Sequence, residues 1–436
     1  MKINVPSSVD IAKYSIKGGS NNLERFYGLP GSVEFCSNCV FSNQKPNSEQ
    51  EYKHTVKTKK PTLSFDDEGV CSACLVAKNK KDIDWTEREA KLKALCDRYR
   101  SRNGSYDCLV PGSGGKDSFY AAYKLKYEYG MNPLTVTWAP HIYTDWGWEN
   151  FKSWIHAGFD NYLFTPNGRV HRLLTRLAVE KLFHPFQPFI MGQMYYPPKM
   201  AGKFDIPLVF YGENPTEYGN EKKEDQTSSK DQRYFSTSPD QDVFISGMST
   251  ESLRSHFGLS KLDLEPYLPI TDRDLHLKSI DVQYLGYYLP WHPQECYYFA
   301  SENGGFKAAP ERTAGTYSKY SSIDDKIDDL HYYTTFIKFG IGRATYDASQ
   351  EVRNGDITRD EAVALVARYD GEYSNRFENE VFDYLSITEK EFGAIAGLFE
   401  QPTMNKELFD LITDKFRSPH IWQLVDGSWS LRETVY

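Results

Sequence analysis

The feature that most limits how this chain can fold is a six-residue turn, Ser113-Gly114-Gly115-Lys116-Asp117-Ser118, lying between an apolar run and a helix-like run. Tyr106–Pro111 (YDCLVP) reads as a short buried strand and Asp117–Tyr129 as a helix. Two glycines between them let the backbone take positive φ and turn several N–H groups to one side. The helix start adds unpaired N–H groups and the positive end of its dipole. Strand, glycine turn and helix together make a cradle for a doubly charged phosphate. The spacing GxxxxGK[ST] is absent, so this is a different phosphate loop from the Walker type.

Such a turn belongs in a βα alternation, and the flanking sequence supplies one. Trp85–Arg100, Trp148–His156 and Val170–Phe183 read as helices. Pro133–Ala139, Asn161–Thr165 and Ile206–Tyr211 read as strands, with a further apolar run at Val282–Leu289. This spacing implies an α/β fold with a parallel, Rossmann-like sheet and right-handed crossovers. The alternation stops at Glu217–Asp242, a polar stretch that is either a surface insertion or a lid ordering over substrate. Beyond about Ser322 the chain reads as helices, with capping-box patterns at Thr358–Glu361 and Thr388–Glu391. These shifts divide the chain into segments 1–84, 85–320 (with the insertion near 218–242) and 321–436.

Four of the seven cysteines form two CxxC pairs, Cys36/Cys39 and Cys71/Cys74, with 31 residues between the pairs. Each pair grips one ion from a single tight turn, and two pairs complete a tetrahedral structural zinc site. An iron–sulfur cluster or redox-active pairs are the alternatives. Cys96, Cys108 and Cys296 are single and read as small buried apolar residues. No run approaches the ~18 apolar residues of a membrane-crossing helix, and the start has no basic region before an apolar one. A cytoplasmic protein without membrane insertion is therefore expected. With 51 Lys plus Arg against 60 Asp plus Glu, the net charge of −9 argues against nucleic-acid binding but allows a small anionic ligand.

Further candidates fall where the sheet would end. Glu213 and Glu217 follow the strand Ile206–Tyr211 and would position Mg²⁺ or an attacking amine at the sheet's carboxyl edge. Thr137 and Trp138, at the end of the second strand, would face adenine. In a helical reading of Lys319–Arg343, Asp324, Asp328 and His331 share a face, and Lys338 and Arg343 would reach phosphates or an acidic sugar. A solvated helix face explains the same spacing. His184 and His292, each beside a proline, read as structural.

The SGGxDS order of the turn matches the PP-loop of ATP pyrophosphatases. That resemblance implies that the loop holds the β and γ phosphates of ATP and that attack at the α-phosphorus leaves AMP on the substrate. Ser113, Gly114, Gly115 and Ser118 would then cradle pyrophosphate, Lys116 would offset charge and Asp117 would hold Mg²⁺. Over residues 30–370 the chain resembles, more closely, the N-acetyl sugar amidotransferases of the WbpG/PseA type. The resemblance rests on an ordered set of blocks. They are Cys36–Cys39, Phe65–Cys71 with Cys74, Pro111–Ser118, Thr135–Trp146, Gly212–Gly219, Gly315–Arg343 and Asn354–Arg359.

Members of that family are implied to convert an acetamido group on a sugar or sugar nucleotide into an acetamidino group. The amide oxygen is adenylated and ammonia displaces AMP, in surface-polysaccharide or nonulosonic-acid synthesis. Ammonia would come from a separate glutaminase similar to that of the histidine pathway. The insertion at Gly219–Asp242 and the tail beyond about residue 372 depart from shorter members and leave substrate and partner surface open. A PP-loop tRNA-modifying enzyme of thiolase type, or a non-catalytic nucleotide-binding scaffold for a glutaminase, are the other readings.

Overall fold

The computed structural model describes residues 2–4, 9–16, 20–220 and 227–436, apart from the Glu217 side chain. Its centre is a five-stranded parallel sheet: β1 (Cys108–Pro111), β2 (Pro133–Trp138), β3 (Asp160–Phe164), β4 (Leu208–Tyr211) and β5 (Asp281–Tyr284), in the order β3-β2-β1-β4-β5. β1, β2 and β4 are buried on both faces, which explains why they read as continuous apolar runs without alternation.

The helices that flank this sheet or shape its carboxyl edge are α1 (Ser72–Asn79), α2 (Trp85–Tyr99), α3 (Lys116–Tyr123), α4 (Asp145–His156), α5 (Gly168–Leu182), α6 (Gln187–Lys203), α7 (Pro293–Gly304), α8 (Asp328–Phe339), α9 (Arg343–Asn354) and α10 (Arg359–Tyr369). α2, α4 and α5 lie where their apolar spacing put them, each with a side-chain N-cap from Asp84, Thr144 and Asn167.

Sequence periodicity does not reveal α6. It is 17 residues long with Pro197 and Pro198 inside it, and propensity opposes it. Those prolines cannot donate to the carbonyls four residues earlier, Gln193 and Met194. The Tyr211 hydroxyl at the end of β4 donates to both, at 3.5 and 3.1 Å. The helix survives because the sheet covers its apolar residues and one tyrosine satisfies its orphaned carbonyls.

Three expectations need correction. The polar stretch after Tyr218 is not a free surface insertion where it is described, residues 227–242. Its start runs along the outer edge of β5, with Lys230 N–H donating to Val282 O and Tyr284 N–H to Ser228 O, both at 2.8 Å. This closes an edge that would otherwise expose unpaired backbone groups. Second, the C-terminal region is helical as expected through Phe416, and only its end departs, in an antiparallel hairpin, Trp422–Val425 with Ser428–Leu431. The Asp426-Gly427 dipeptide at its tip was the available signal. Third, the Thr358–Glu361 capping box forms, whereas Thr388 caps no backbone N–H and its helix lasts four residues.

Candidate functional site

The strand order reverses between β1 and β4, and in parallel sheets the crevice for ligands opens outside the carboxyl ends of strands at such a point. β1 runs into Gly112 and the Ser113–Ser118 turn; β4 runs into Gly212-Glu213. The turn is shaped by close approach. A Cβ on Gly112 would lie 2.2 Å from the Ser118 Cβ, and Gly114, at φ +86°, would place one 2.8 Å from Asn150 O in α4. Gly112 N–H donates to Val136 O and Phe119 N–H to Gly115 O. Among the described residues, none of the N–H groups from Ser113 to Ser118 has a partner. The turn therefore presents a ring of free donors at the start of α3.

Those donors face a cleft with two lobes. The larger, about 730 Å³, has an aromatic and apolar wall of Val136, Trp138, Met194, Tyr196 and Tyr211. At its far side stand Glu51, Lys60, His184 and Lys338. The smaller, about 400 Å³, is polar and acidic, with Asp324, Asp328, Arg343, Asp347 and Glu351. Ser113, Gly115, Asp117, Glu213, Tyr218 and His331 line both.

The titratable groups carry the marks of a dry, crowded site. Lys116 is buried and pairs with Asp117 Oδ2 at 2.5 Å. Burial pulls the Lys116 ammonium pKa down, but the Asp117 carboxylate outweighs it and leaves the pKa raised. Asp117 Oδ1 is buried with no partner. Glu213 accepts from the Tyr218 hydroxyl at 2.9 Å, and burial, then repulsion from Asp117, lifts its pKa. Burial also lifts Asp324, partly offset by the nearby Ser113 hydroxyl. Glu351 is pushed up to about 7 by burial. Lys338 is pushed down to about 7, by burial and then by Lys60. Among the described residues its only hydrogen bond is a 3.1 Å donation to Leu182 O.

The helical reading of Lys319–Arg343 holds only from Asp328, the first residue of α8; Asp324 lies in the preceding irregular segment. Asp324, Asp328 and His331 nevertheless reach the same lobe. That segment is held by Asp325, which accepts from His141 N–H at 2.6 Å and from Ile327 N–H at 3.0 Å. Arg343 pairs with Asp347 at 2.8 Å and donates to the Tyr332 hydroxyl.

Of the two residues expected at adenine, Trp138 lines the larger lobe, with its indole N–H buried and unpartnered. Thr137 does not. Its hydroxyl donates to Gly112 O at 2.6 Å and accepts from Asn161 Nδ2 at 2.9 Å, so it braces the turn from behind. Glu217 falls at a described backbone position, but its side chain lies outside the described structure. Gly112 and Tyr218 are site residues that sequence reasoning missed, and Asp328 belongs to the lobe through folding more than through its helical spacing. Gly112 was adjacent to the recognised turn and legible; Tyr218 is brought in only by folding.

The cysteine pairs come together in one buried group, Cys36, Cys39, Cys71 and Cys74, whose sulfurs all lie within 4.8 Å of one another. Cys36–Cys74 and Cys39–Cys71 sulfur separations are 3.9 and 3.7 Å. A tetrahedron with metal–sulfur bonds of about 2.3 Å has edges of about 3.8 Å, so the spacing fits zinc. Cys36 Sγ also accepts N–H groups from Asn38, Cys39 and Cys71, the kind of bond that stabilises a thiolate ligand. Arg359 donates to Cys36 O and Cys39 O, both at 3.2 Å, tying the group to the start of α10. α1 packs on α9 and on the Pro215–Tyr218 turn, so the cysteine group abuts two walls of the cleft. Cys96, Cys108 and Cys296 are buried single thiols.

Comparison with known proteins places the C-terminal part of the chain. Residues 314–436 match the model of the family described as "LPS biosynthesis protein WbpG-like, C-terminal domain". An uncharacterized protein of Methanocaldococcus jannaschii is 31% identical over 83 residues, 19% of this chain. The chain thus spans 29% of the length of that curated relative. Among solved structures, "The crystal structure of predicted subunit of tRNA methyltransferase" from the same organism aligns at 16% identity and a TM-score of 0.25. That alignment covers 55% of this chain and 91% of that one. Among the described residues, no helix is long and apolar enough to cross a membrane.

Proposed function

We propose, for a chain that belongs to the WbpG-like family of LPS biosynthesis proteins through residues 314–436, that it is a cytoplasmic ATP-dependent amidotransferase. It converts an acetamido group on a sugar or sugar nucleotide into an acetamidino group. The observation that carries this reading is the run of unpartnered N–H groups from Ser113 to Ser118, facing a two-lobed cleft at the switch point of the sheet. Free amide donors at a helix start, in a cleft large enough for a nucleotide and a second substrate, are what adenylation requires.

In this reading adenine lies against Trp138 in the larger lobe and the β and γ phosphates over the turn, with Lys116 offsetting their charge. Mg²⁺, which keeps most of its shell as water and phosphate oxygens, would take one ligand from the orphaned Asp117 Oδ1. Mg²⁺ would supply charge neutralisation at the phosphates. Zinc in the four-cysteine group would supply rigidity alone, since a closed tetrahedral site leaves no open position.

The amide oxygen attacks the α-phosphorus and the bond to pyrophosphate breaks. The amide proton leaves, and Glu213, with its raised affinity for protons, is placed to take it. Ammonia then adds to the imidate carbon and the C–O bond to AMP breaks. The product keeps the extra proton as an amidinium. Arg343 and Lys338 serve substrate anions from opposite sides of the cleft. A separate glutaminase is the proposed ammonia source.

The Cys108 thiol argues against the thiolase alternative. It is fully buried in β1, and Cys296, the thiol that interacts with Lys116 and Asp117, is buried as well; burial raises both pKa values above the ordinary thiol value, so neither presents a ready thiolate beside the turn. The test is mass spectrometry of candidate acetamido sugars incubated with ATP, Mg²⁺ and ammonium. Replacement of one oxygen by NH, with AMP and pyrophosphate in equal amounts, is expected. ADP as product, or no pyrophosphate with any such sugar, would reject the proposal.

A further inference from the structure

Asp328, the first residue of α8, is 6% exposed and lines the smaller lobe. Its carboxylate accepts no hydrogen bond among the described residues; its backbone N–H donates to Asp325 O at 3.2 Å. Asp325, Asp329 and Arg343, three of its charged neighbours, are already committed. Asp325 serves His141 and Ile327; Asp329 serves Arg376 and Ser374. Asp324 lies beside the Ser113 hydroxyl, and Arg343 is held by Asp347 and Tyr332. A buried carboxylate without a partner is costly, so one that faces a cavity marks a missing ligand.

The walls say which ligand. The lobe is rich in acceptors, and its two cations, Lys116 and Arg343, are paired with Asp117 and Asp347. A ligand that answers this lining donates hydrogen bonds and carries positive charge. A divalent ion is poorly served. Among the described residues, only the four cysteines bring three or more ligating atoms within 4.8 Å of one another. Ammonium has four N–H donors and no acceptor, and an amidine-forming reaction consumes its conjugate base.

We propose that Asp328 holds an ammonium ion in the smaller lobe, beside the phosphate turn, and removes its proton to deliver ammonia to the adenylated substrate. This rests on the amidotransferase reading and adds the site of its second substrate. One N–H bond breaks and its proton passes to the Asp328 oxygen. The nitrogen lone pair forms the new C–N bond, AMP leaves with the C–O pair, and the proton remains with the enzyme until product departs. Burial, then Asp324 and Asp325, holds the Asp328 carboxyl pKa well above the usual range, the direction that strengthens a carboxylate as a proton acceptor. His331, one turn further along α8, lines both lobes with Nδ1 unpartnered. Burial lowers its pKa to about 3, so it stays neutral and does not repel the ion.

Two measurements test this. In steady-state assays with ATP and substrate, Asp328→Asn is expected to raise the KM for ammonium about tenfold or more while moving the KM for ATP by less than about twofold. Equal changes in both constants, or none in the first, would overturn it. Independently of turnover, thermal unfolding of the wild-type chain is followed in ammonium chloride, sodium chloride and magnesium chloride at matched ionic strength. An upward shift specific to ammonium, absent in Asp328→Asn, is expected. Equal shifts in ammonium and sodium, or a shift with magnesium alone that needs Asp328, would overturn the ammonium site whether or not the sugar is known. If the ammonium shift holds while no acetamido sugar yields pyrophosphate, the site stands and the amidotransferase reading falls.

Discussion

The cysteine group and the phosphate turn are both short glycine- or cysteine-marked motifs, but one is closed and the other open. In the cysteine group all four sulfurs face one another, and the N–H groups around Cys36 are spent on its sulfur. In the turn, among the described residues, the N–H groups are spent on nothing, and one of its own carboxylate oxygens, Asp117 Oδ1, is also idle. A closed site returns its free energy to the fold; an open one keeps it for a ligand. The two are neighbours, since α1 packs on the Pro215–Tyr218 turn that carries Tyr218 to Glu213. The closed site thus forms part of the support for the open one.

Substitutions can break or sharpen this contrast. Cys36→Ser removes one ligand of the closed site and is expected to cost about 4 kcal/mol or more, with loss of stoichiometric zinc. Full zinc content by elemental analysis would refute the assignment. Asp117→Ala removes from the open site the carboxylate proposed to meet Mg²⁺. It is expected to lower kcat/KM by about 10²–10³-fold and, by leaving the buried Lys116 ammonium unpaired, to lower the unfolding temperature as well. A large fall in stability with normal turnover would reverse the roles given to the two sites. Arg359→Ala cuts the two donations to Cys36 O and Cys39 O and is expected to cost about 2 kcal/mol while zinc remains bound, read by denaturant unfolding.

The smallest effect depends on pH. The Lys338 pKa is about 7 in the folded chain, below the ordinary lysine value of about 10.4, so between those values the unfolded chain binds more protons. Its destabilising contribution is therefore full below pH 7 and fades as pH rises toward 10. Lys338 faces Glu51, Lys60, His184 and His331. Lys338→Met is expected to stabilise by about 1–2 kcal/mol at pH 6 and by less at pH 9. An effect independent of pH would show that Lys338 does not titrate as stated.

The Ser113–Ser118 turn, the four cysteines and most strands and helices of the sheet domain were legible in the sequence. Each depends on a contiguous pattern: glycines with an adjacent helix start, two CxxC pairs, apolar runs of strand length. Local chemistry determines such features before the chain is compact. What folding alone decided depends on residues far apart in the chain. α6 forms against its own prolines because Tyr211 supplies the missing hydrogen bonds. Thr137 turns behind the phosphate loop and away from the cleft because Gly112 O and Asn161 claim it. Asp328 reaches the cleft only when Asp325, anchored at His141, lays the segment before α8 along the loop that follows β2. Sequence periodicity reports which face of an element is apolar; it carries no record of which distant polar groups arrive without partners. Those leftover groups, created by packing, are where this chain is prepared to meet its ligands.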